Sequence, residues 1–293
     1  MKTFTLIFSL FFSLFVYSEE SHKVVYLISP PRSLSVGFLR MIEARGDFKI
    51  FHEPTIPVYH KINNLSFSHD WFRKGVFQSF DEIKEAIFKA DSHVFVKEMS
   101  FSFKNLIDED LMTKPNVYFV FLLRNPHHTI ISLYNKIGSI VEDFHEAVGY
   151  ESTYEIFQTI QKYSTKKPLI LFSEELASAP ESTVKMFCDY VGIPFKEESL
   201  IWKNLGENFN GHQEWNESKR GELTQHWHKE AIQSTQFNPL KTYEVDNLGS
   251  PTFSEVKDLK DLEECKKAYA HHLPFYLFFR ETSFENTSCD ALP

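Results

Sequence analysis

Five short apolar runs, each closed by ionisable or hydroxyl residues, limit what this chain can fold into more than any other feature. The runs are Val24–Ile28, Phe48–Phe51, Val94–Val96, Val117–Leu123 and Leu169–Phe172. After them come Pro31-Arg32-Ser33-Leu34-Ser35, His52-Glu53-Pro54, Lys97-Glu98, Arg124-Asn125-Pro126 and Ser173-Glu174-Glu175. Segments with helical spacing lie between the runs, so the pattern predicts an α/β fold of three layers: a mostly parallel central sheet flanked by helices. Ligands of an open parallel sheet bind outside the carboxyl ends of its strands. Arg32, Glu53, Lys97, Glu98 and Arg124 are therefore expected around one crevice.

The connecting segments support this reading. Val36, Phe38, Leu39 and Ile42 predict a first helix ending near Gly46, and Ile83, Ile87 and Phe88 a second. Asn125-Pro126 has the chemistry of a helix start, with Asn as N-cap and Pro at the first helical position. Val184, Phe187, Cys188 and Val191 recur at helical spacing before Gly192 and Pro194 stop the helix. Beyond residue 196 the pattern loosens. Trp202, Trp215 and Trp227 stand among polar residues, as in a lid of loop and helix, and Phe275–Phe279 predicts a last helix on the sheet.

At 293 residues, with 42% apolar and 24% charged residues, the chain has the composition of an ordered globular protein. Its formal net charge of −9 argues against general nucleic-acid binding, which needs a basic surface. A small anion needs only a local pocket of Arg and Lys. Lys2 followed by the apolar stretch Phe4–Val16 reads as a signal peptide over residues 1–18, leaving 19–293 as one domain. The apolar stretch is shorter than the roughly 20 residues of a membrane span, so no transmembrane segment is expected after cleavage. The expected location is the secretory pathway or outside the cell, with the cytoplasm as the alternative. Cys188 reads as a core residue, whereas Cys265 and Cys289 are candidates for a disulfide in an exported protein. Sequons at Asn64, Asn216 and Asn286 would matter only in a eukaryotic secretory pathway.

The first strand, its loop and the following helix offer an anion site. A helix N-terminus presents unpaired N–H donors and the positive end of its dipole. Arg32 adds a planar charged fork, and Ser33 and Ser35 add hydroxyls. There is no Gly-x-x-x-x-Gly-Lys-Ser/Thr motif and no lone strand-end Asp to hold magnesium, which disfavours a metal-dependent ATPase or GTPase.

Pro31-Arg32-Ser33-Leu34-Ser35-Val36 resembles the 5′-phosphosulfate loop of sulfotransferases that use 3′-phosphoadenosine-5′-phosphosulfate (PAPS). Arg124 at a strand end, with Ser132 eight positions on, is similar to their 3′-phosphate element. The stretch Leu169–Leu176, with Ala179–Thr183 and Gly192–Phe195 after it, resembles the unit that follows that element. His52-Glu53-Pro54 resembles the end of strand two in bacterial relatives. Many members carry Lys and Gly where this loop has Arg32 and Leu34. Lys219-Arg220-Gly221 is reminiscent of a late basic loop that closes on the 3′-phosphate, but the surrounding residues match poorly and a solvated charged turn is the preferred reading.

The resemblance implies a P-loop-like fold and transfer of a sulfuryl group from PAPS, as co-substrate, to a hydroxyl or amine. Pro31, Arg32, Ser33, Leu34, Ser35, Val36, Arg124 and Ser132 would hold the donor. Arg32 would also neutralise charge on the sulfuryl group. Glu53 is the expected base, with His52 as rival and Glu98 third; strand alternation predicts that only one of His52 and Glu53 enters the crevice. Lys97 would contact the sulfuryl group or pair with Glu53. His226-x-His228 and His271-His272 lack companions at ligand spacing, so no metal is expected. The acceptor class stays open among glycans, lipids, small alcohols and peptide tyrosine. Two other readings remain: an ATP-dependent phosphotransferase of related ancestry, and a non-catalytic exported relative that binds an anion or glycan.

Overall fold

The computed structural model describes residues 22–63, 77–137, 144–206 and 221–289, without the side chains of 221–226 and 284–289. The expected signal peptide lies outside these residues, as do Asn64, Trp215, Asn216, Lys219 and Arg220. All five apolar runs are strands: β1 (Val24–Ser29), β2 (Phe48–His52), β3 (His93–Met99), β4 (Val117–Leu123) and β5 (Leu169–Phe172). They form one parallel sheet in the order β2-β3-β1-β4-β5. Val24 is in register with Val94 on one side and Val117 on the other, and His52 with Lys97.

The runs are apolar throughout because both faces of the sheet are covered. Tyr26, Ile28, Val96, Phe119, Phe121 and Phe172 pack on one face. Val25, Leu27, Phe95, Val120, Leu122 and Leu171 pack on the other. The first face is covered by α2 (Thr55–Asn63), α3 (Phe80–Phe88), α4 (Ser100–Phe103), α5 (Glu109–Thr113), α6 (Pro126–Ile137), α7 (Phe144–Val148), α8 (Tyr150–Tyr163) and the long C-terminal helix. The second is covered by α1 (Ser35–Arg45) and α10 (Pro180–Val191), with α9 (Ser173–Ser178) beside it. A 3₁₀ turn (Glu197–Leu200) follows, then α11 (Gly221–Gln233) and α12 (Leu259–Cys289). Among the described residues no helix is long and apolar enough to cross a membrane.

The helix ends follow their chemistry. Asn125 Oδ1 accepts from the His127 N–H at 3.0 Å, as an N-cap does. Gly46 and Gly192, at φ 72° and 71°, close α1 and α10 in the left-handed region.

Two expectations are corrected here. Cys265 is a free, buried thiol on the same helix as Cys289. Twenty-four residues of helix separate the two positions by about 36 Å, far beyond the reach of a disulfide. Trp202 is not part of a lid: it is buried against Phe237, with its indole N–H donating to Ser234 Oγ at 3.1 Å.

Candidate functional site

In this strand order the chain leaves β1 toward β2 and leaves β4 toward β5, in opposite directions. The switch point of the sheet is therefore between β1 and β4, where a crevice opens at the strand ends. Arg32 follows β1 and Arg124 follows β4, so the topology sets the two guanidinium groups side by side. Arg124 Nη1 donates to the Arg32 carbonyl at 3.1 Å, and Arg124 Nη2 to the Lys241 carbonyl at 2.8 Å. Arg32 Nε donates to Ser132 Oγ at 3.0 Å, and Arg32 Nη1 to the Trp227 carbonyl at 3.0 Å. Arg32, Arg124 and Ser132 thus form one cluster; the sequence reading had set Arg32 toward the opposite end of the ligand from Ser132.

Every hydrogen-bond acceptor of the two guanidiniums among the described residues is neutral. Burial pulls both pKa values below the usual arginine value, yet arginine keeps its charge. Arg124 is 5% exposed, and its Nε is buried without a partner. Two desolvated positive groups on neutral acceptors make a site for an anion.

The loop beneath is held in a demanding conformation. Arg32 and Leu34 have φ of 60° and 63°, in the left-handed region that favours glycine. Leu34 therefore keeps a glycine-like backbone while its side chain lies on Gly37, where an added Cβ would stand 3.2 Å from Leu34 Cδ1. The N-terminus of α1 has no side-chain cap and no acidic residue in its first turn, so its amides face the crevice side of the sheet uncapped. Ser33 Oγ turns back to the Pro31 carbonyl at 3.4 Å, whereas Ser35 is buried at the start of the helix and Val36 packs at its edge. Ser173 Oγ lies 2.7 Å from the Ser33 carbonyl and 2.9 Å from that of Leu123, which fastens the loop to β4 and β5.

A second cluster sits at the ends of β2 and β3. Alternation sends His52 and Lys97, which are in register, to the α1 face and Glu98 to the opposite face. The expectation that only one of His52 and Glu53 enters the crevice fails for a local reason. The strand stops at His52, and Glu53 takes a left-handed φ of 51°. That turn carries its buried carboxylate back to the Lys97 ammonium, with which it pairs, and to within 3.5 Å of His52 Nε2. Lys97 thus takes the Glu53 alternative, and its Nζ also lies 3.5 Å from Met99 Sδ.

Glu98 is buried on the far side. It accepts from the Thr55 N–H at 3.2 Å and from Thr55 Oγ1 at 2.6 Å. Burial pushes its pKa up to about 8, against the hydrogen bonds from Thr55 and aided by the nearby Glu53 charge. Glu98 holds the start of α2, the helix that directly follows His52-Glu53-Pro54.

His228 completes this cluster. It arrives on α11, and one donor atom from each of His52, Glu53 and His228 lies within 4.8 Å of the others. Removal from water drives its pKa well below the usual histidine value, helped by the nearby His52, Lys97 and Arg32 and opposed by Glu53. The expectation that His228 lacks companions is therefore corrected: its partners are some 175 positions upstream in the chain. Its neighbour Trp227 gives its carbonyl to Arg32, so consecutive residues of α11 touch both clusters. His127 and His128 begin α6, where burial lowers both pKa values, that of His127 to about 4. His127 packs on Phe253 with ring centroids 4.9 Å apart.

Residues 25–247 match the sulfotransferase domain family. Branched-chain-amino-acid aminotransferase-like protein 2 of Arabidopsis thaliana is 26% identical over 185 residues, 62% of this chain and 32% of that protein. The chain spans about a third of the length of the curated relatives it matches. The sulfotransferase domain from the curacin biosynthetic pathway covers 86% of this chain and 98% of its own, with 14% identity and a TM-score of 0.45. The sulfotransferase domain from the Synechococcus PCC 7002 olefin synthase covers 85% and 96%, with 16% identity and a TM-score of 0.45. The family match runs from β1 past α11 and takes in both clusters, and with that reach the chain belongs to the sulfotransferase family.

Proposed function

We propose that the protein moves a sulfuryl group from PAPS to a hydroxyl-bearing acceptor. The observation that carries this reading is the pair of guanidiniums, half-buried Arg32 and buried Arg124, gathered with Ser132 at the sheet's switch point, whose hydrogen-bond acceptors among the described residues are all neutral. A phosphate in that cluster replaces bonds to carbonyls with charge-assisted bonds to an anion. The 3′-phosphate of the donor is assigned there. The phosphosulfate end is assigned to the uncapped start of α1, with Ser35 and the loop amides as donors.

The acceptor oxygen attacks sulfur in line. The new O–S bond forms as the bond from sulfur to the bridging phosphate oxygen breaks, and adenosine 3′,5′-bisphosphate (PAP) leaves. The acceptor proton passes to Glu53, the expected base, with His52 beside it. Lys97 pairs with the Glu53 carboxylate and so fixes the position of the base. Metal ions have no assigned part in this step.

The test is turnover. Purified protein is supplied with PAPS and with panels of alcohols, glycans and tyrosine peptides, and PAP release is followed. Acceptor-dependent PAP release, absent with ATP as donor, is the expected result. Turnover with ATP and none with PAPS overturns the reading.

A further inference from the structure

We propose that His52, Glu53 and His228 form a binding site for a divalent transition-metal ion of the zinc class. The juxtaposition is a β-strand end, a left-handed turn and a helix from 175 positions further on, delivering two imidazoles and a carboxylate to one point. Zinc bonds to nitrogen and oxygen of about 2.0–2.2 Å place the ligand atoms of one ion about 3–4 Å apart. The donors here lie within 4.8 Å of one another, and His52 Nε2 is 3.5 Å from Glu53 Oε1. A side-chain rotation of a few tenths of an ångström at each suffices. Two imidazoles select zinc, cobalt or nickel over magnesium or calcium, which prefer oxygen. Two His and one Glu also form a set that leaves a fourth position open.

Lys97 sets the strength of the site. Its ammonium already holds the Glu53 carboxylate, so an arriving ion meets a resident positive charge. The carboxylate has enough lone pairs to serve both, but the two cations repel, and the site binds more weakly than the donor set alone would. The metal also takes the groups that accept the acceptor's proton; this consequence rests on the proposed sulfuryl transfer. Zinc is then an inhibitor that competes with the proton at Glu53 and His52.

The experiment is a titration of the EDTA-treated full chain with Co²⁺, read by its visible ligand-field absorption. One equivalent is expected to saturate an absorption band of four- or five-coordinate cobalt. Affinity is expected to fall at least about tenfold in His228→Ala and in His228→Gln, since even indirect partners of a metal cost that much. Lys97→Met is expected to tighten binding, an effect that a site elsewhere would not show. Circular dichroism melting of each variant excludes loss of fold as the cause. No saturable band, or a band unchanged in both His228 variants, overturns the proposal. PAP binding measured on the same metal-free protein is independent. Cobalt binding without PAP binding sinks the sulfuryl reading alone, and PAP binding without cobalt binding sinks the metal site alone. Where turnover exists, stoichiometric Zn²⁺ is expected to slow it and EDTA to restore it; full activity with the site loaded overturns the inhibitory role.

Discussion

The Arg124 guanidinium donates to the main-chain carbonyl of Arg32 at 3.1 Å, so the tip of β4 grips the backbone of the loop that follows β1. A side chain assigned to the nucleotide thereby also holds the loop's left-handed conformation at Arg32 and Leu34. Loop shape and anion binding depend on one residue.

Gly149 supports the loop from beneath. Its φ is 80°, and a Cβ added there would lie 2.8 Å from Ser100 Oγ, with Pro30 and Pro31 just beyond. Gly149→Ala is expected to cost about 1–3 kcal/mol, from the left-handed backbone and the displaced hydroxyl. Urea unfolding measures it. An unchanged midpoint contradicts the tight approach.

Ser173 fastens the other side through the carbonyls of Ser33 and Leu123. Ser173→Ala leaves buried acceptors short of a donor, with an expected loss of about 1–3 kcal/mol. PAP affinity is expected to fall with it, because the loop it holds is the one assigned to the donor. Stability lost with nucleotide affinity intact would separate Ser173 from the site.

Glu98 makes stability depend on pH. Its folded pKa of about 8 lies above the ordinary carboxylate value, so the folded state keeps a proton that the unfolded state releases. Between about pH 4.5 and 8 the folded state binds more protons, and stability falls as pH rises, by up to about 1.4 kcal/mol per pH unit from this group. Glu98→Gln keeps an oxygen for Thr55 and removes the titration. Its melting temperature is expected to decline less between pH 5 and 8 than that of the unaltered protein. Parallel declines contradict a protonated Glu98.

Glu53→Gln removes the assigned base and leaves an oxygen for Lys97. Turnover is expected to drop by about 10²–10⁴-fold while PAP affinity holds. A rate within a few-fold of the unaltered protein passes the role to His52 or His228.

The sheet was legible because each strand, buried on both faces, is an apolar run ended by polar residues. Helix α2 was not, since Ile56-Pro57-Val58 carries neither a clean helical period nor a cap. Helix α8 left a readable signal that was missed: Tyr150, Thr153, Ile156, Phe157 and Ile160 recur at helical spacing. Arg32 and Arg124 were readable as residues of one crevice because both follow strand ends, but the meeting of Arg32 with Ser132 was not, since it depends on the strand order that sets β1 beside β4. The second cluster was only half readable. A left-handed Glu53 reverses the facing that alternation assigns, and no local pattern marks a non-glycine residue for that conformation. His228 reaches His52 only through the tertiary placement of α11, which local periodicity does not encode.

The most direct measurement is calorimetric titration with PAP and with adenosine 5′-monophosphate, on the unaltered protein, Ser132→Ala and Arg124→Lys. The bisphosphate is expected to bind at least about a hundredfold more tightly than the monophosphate, as about 3 kcal/mol from charge-assisted bonds to a second phosphate requires. That preference is expected to shrink in both variants while their folds persist. Equal affinity for the two nucleotides in the unaltered protein would contradict it.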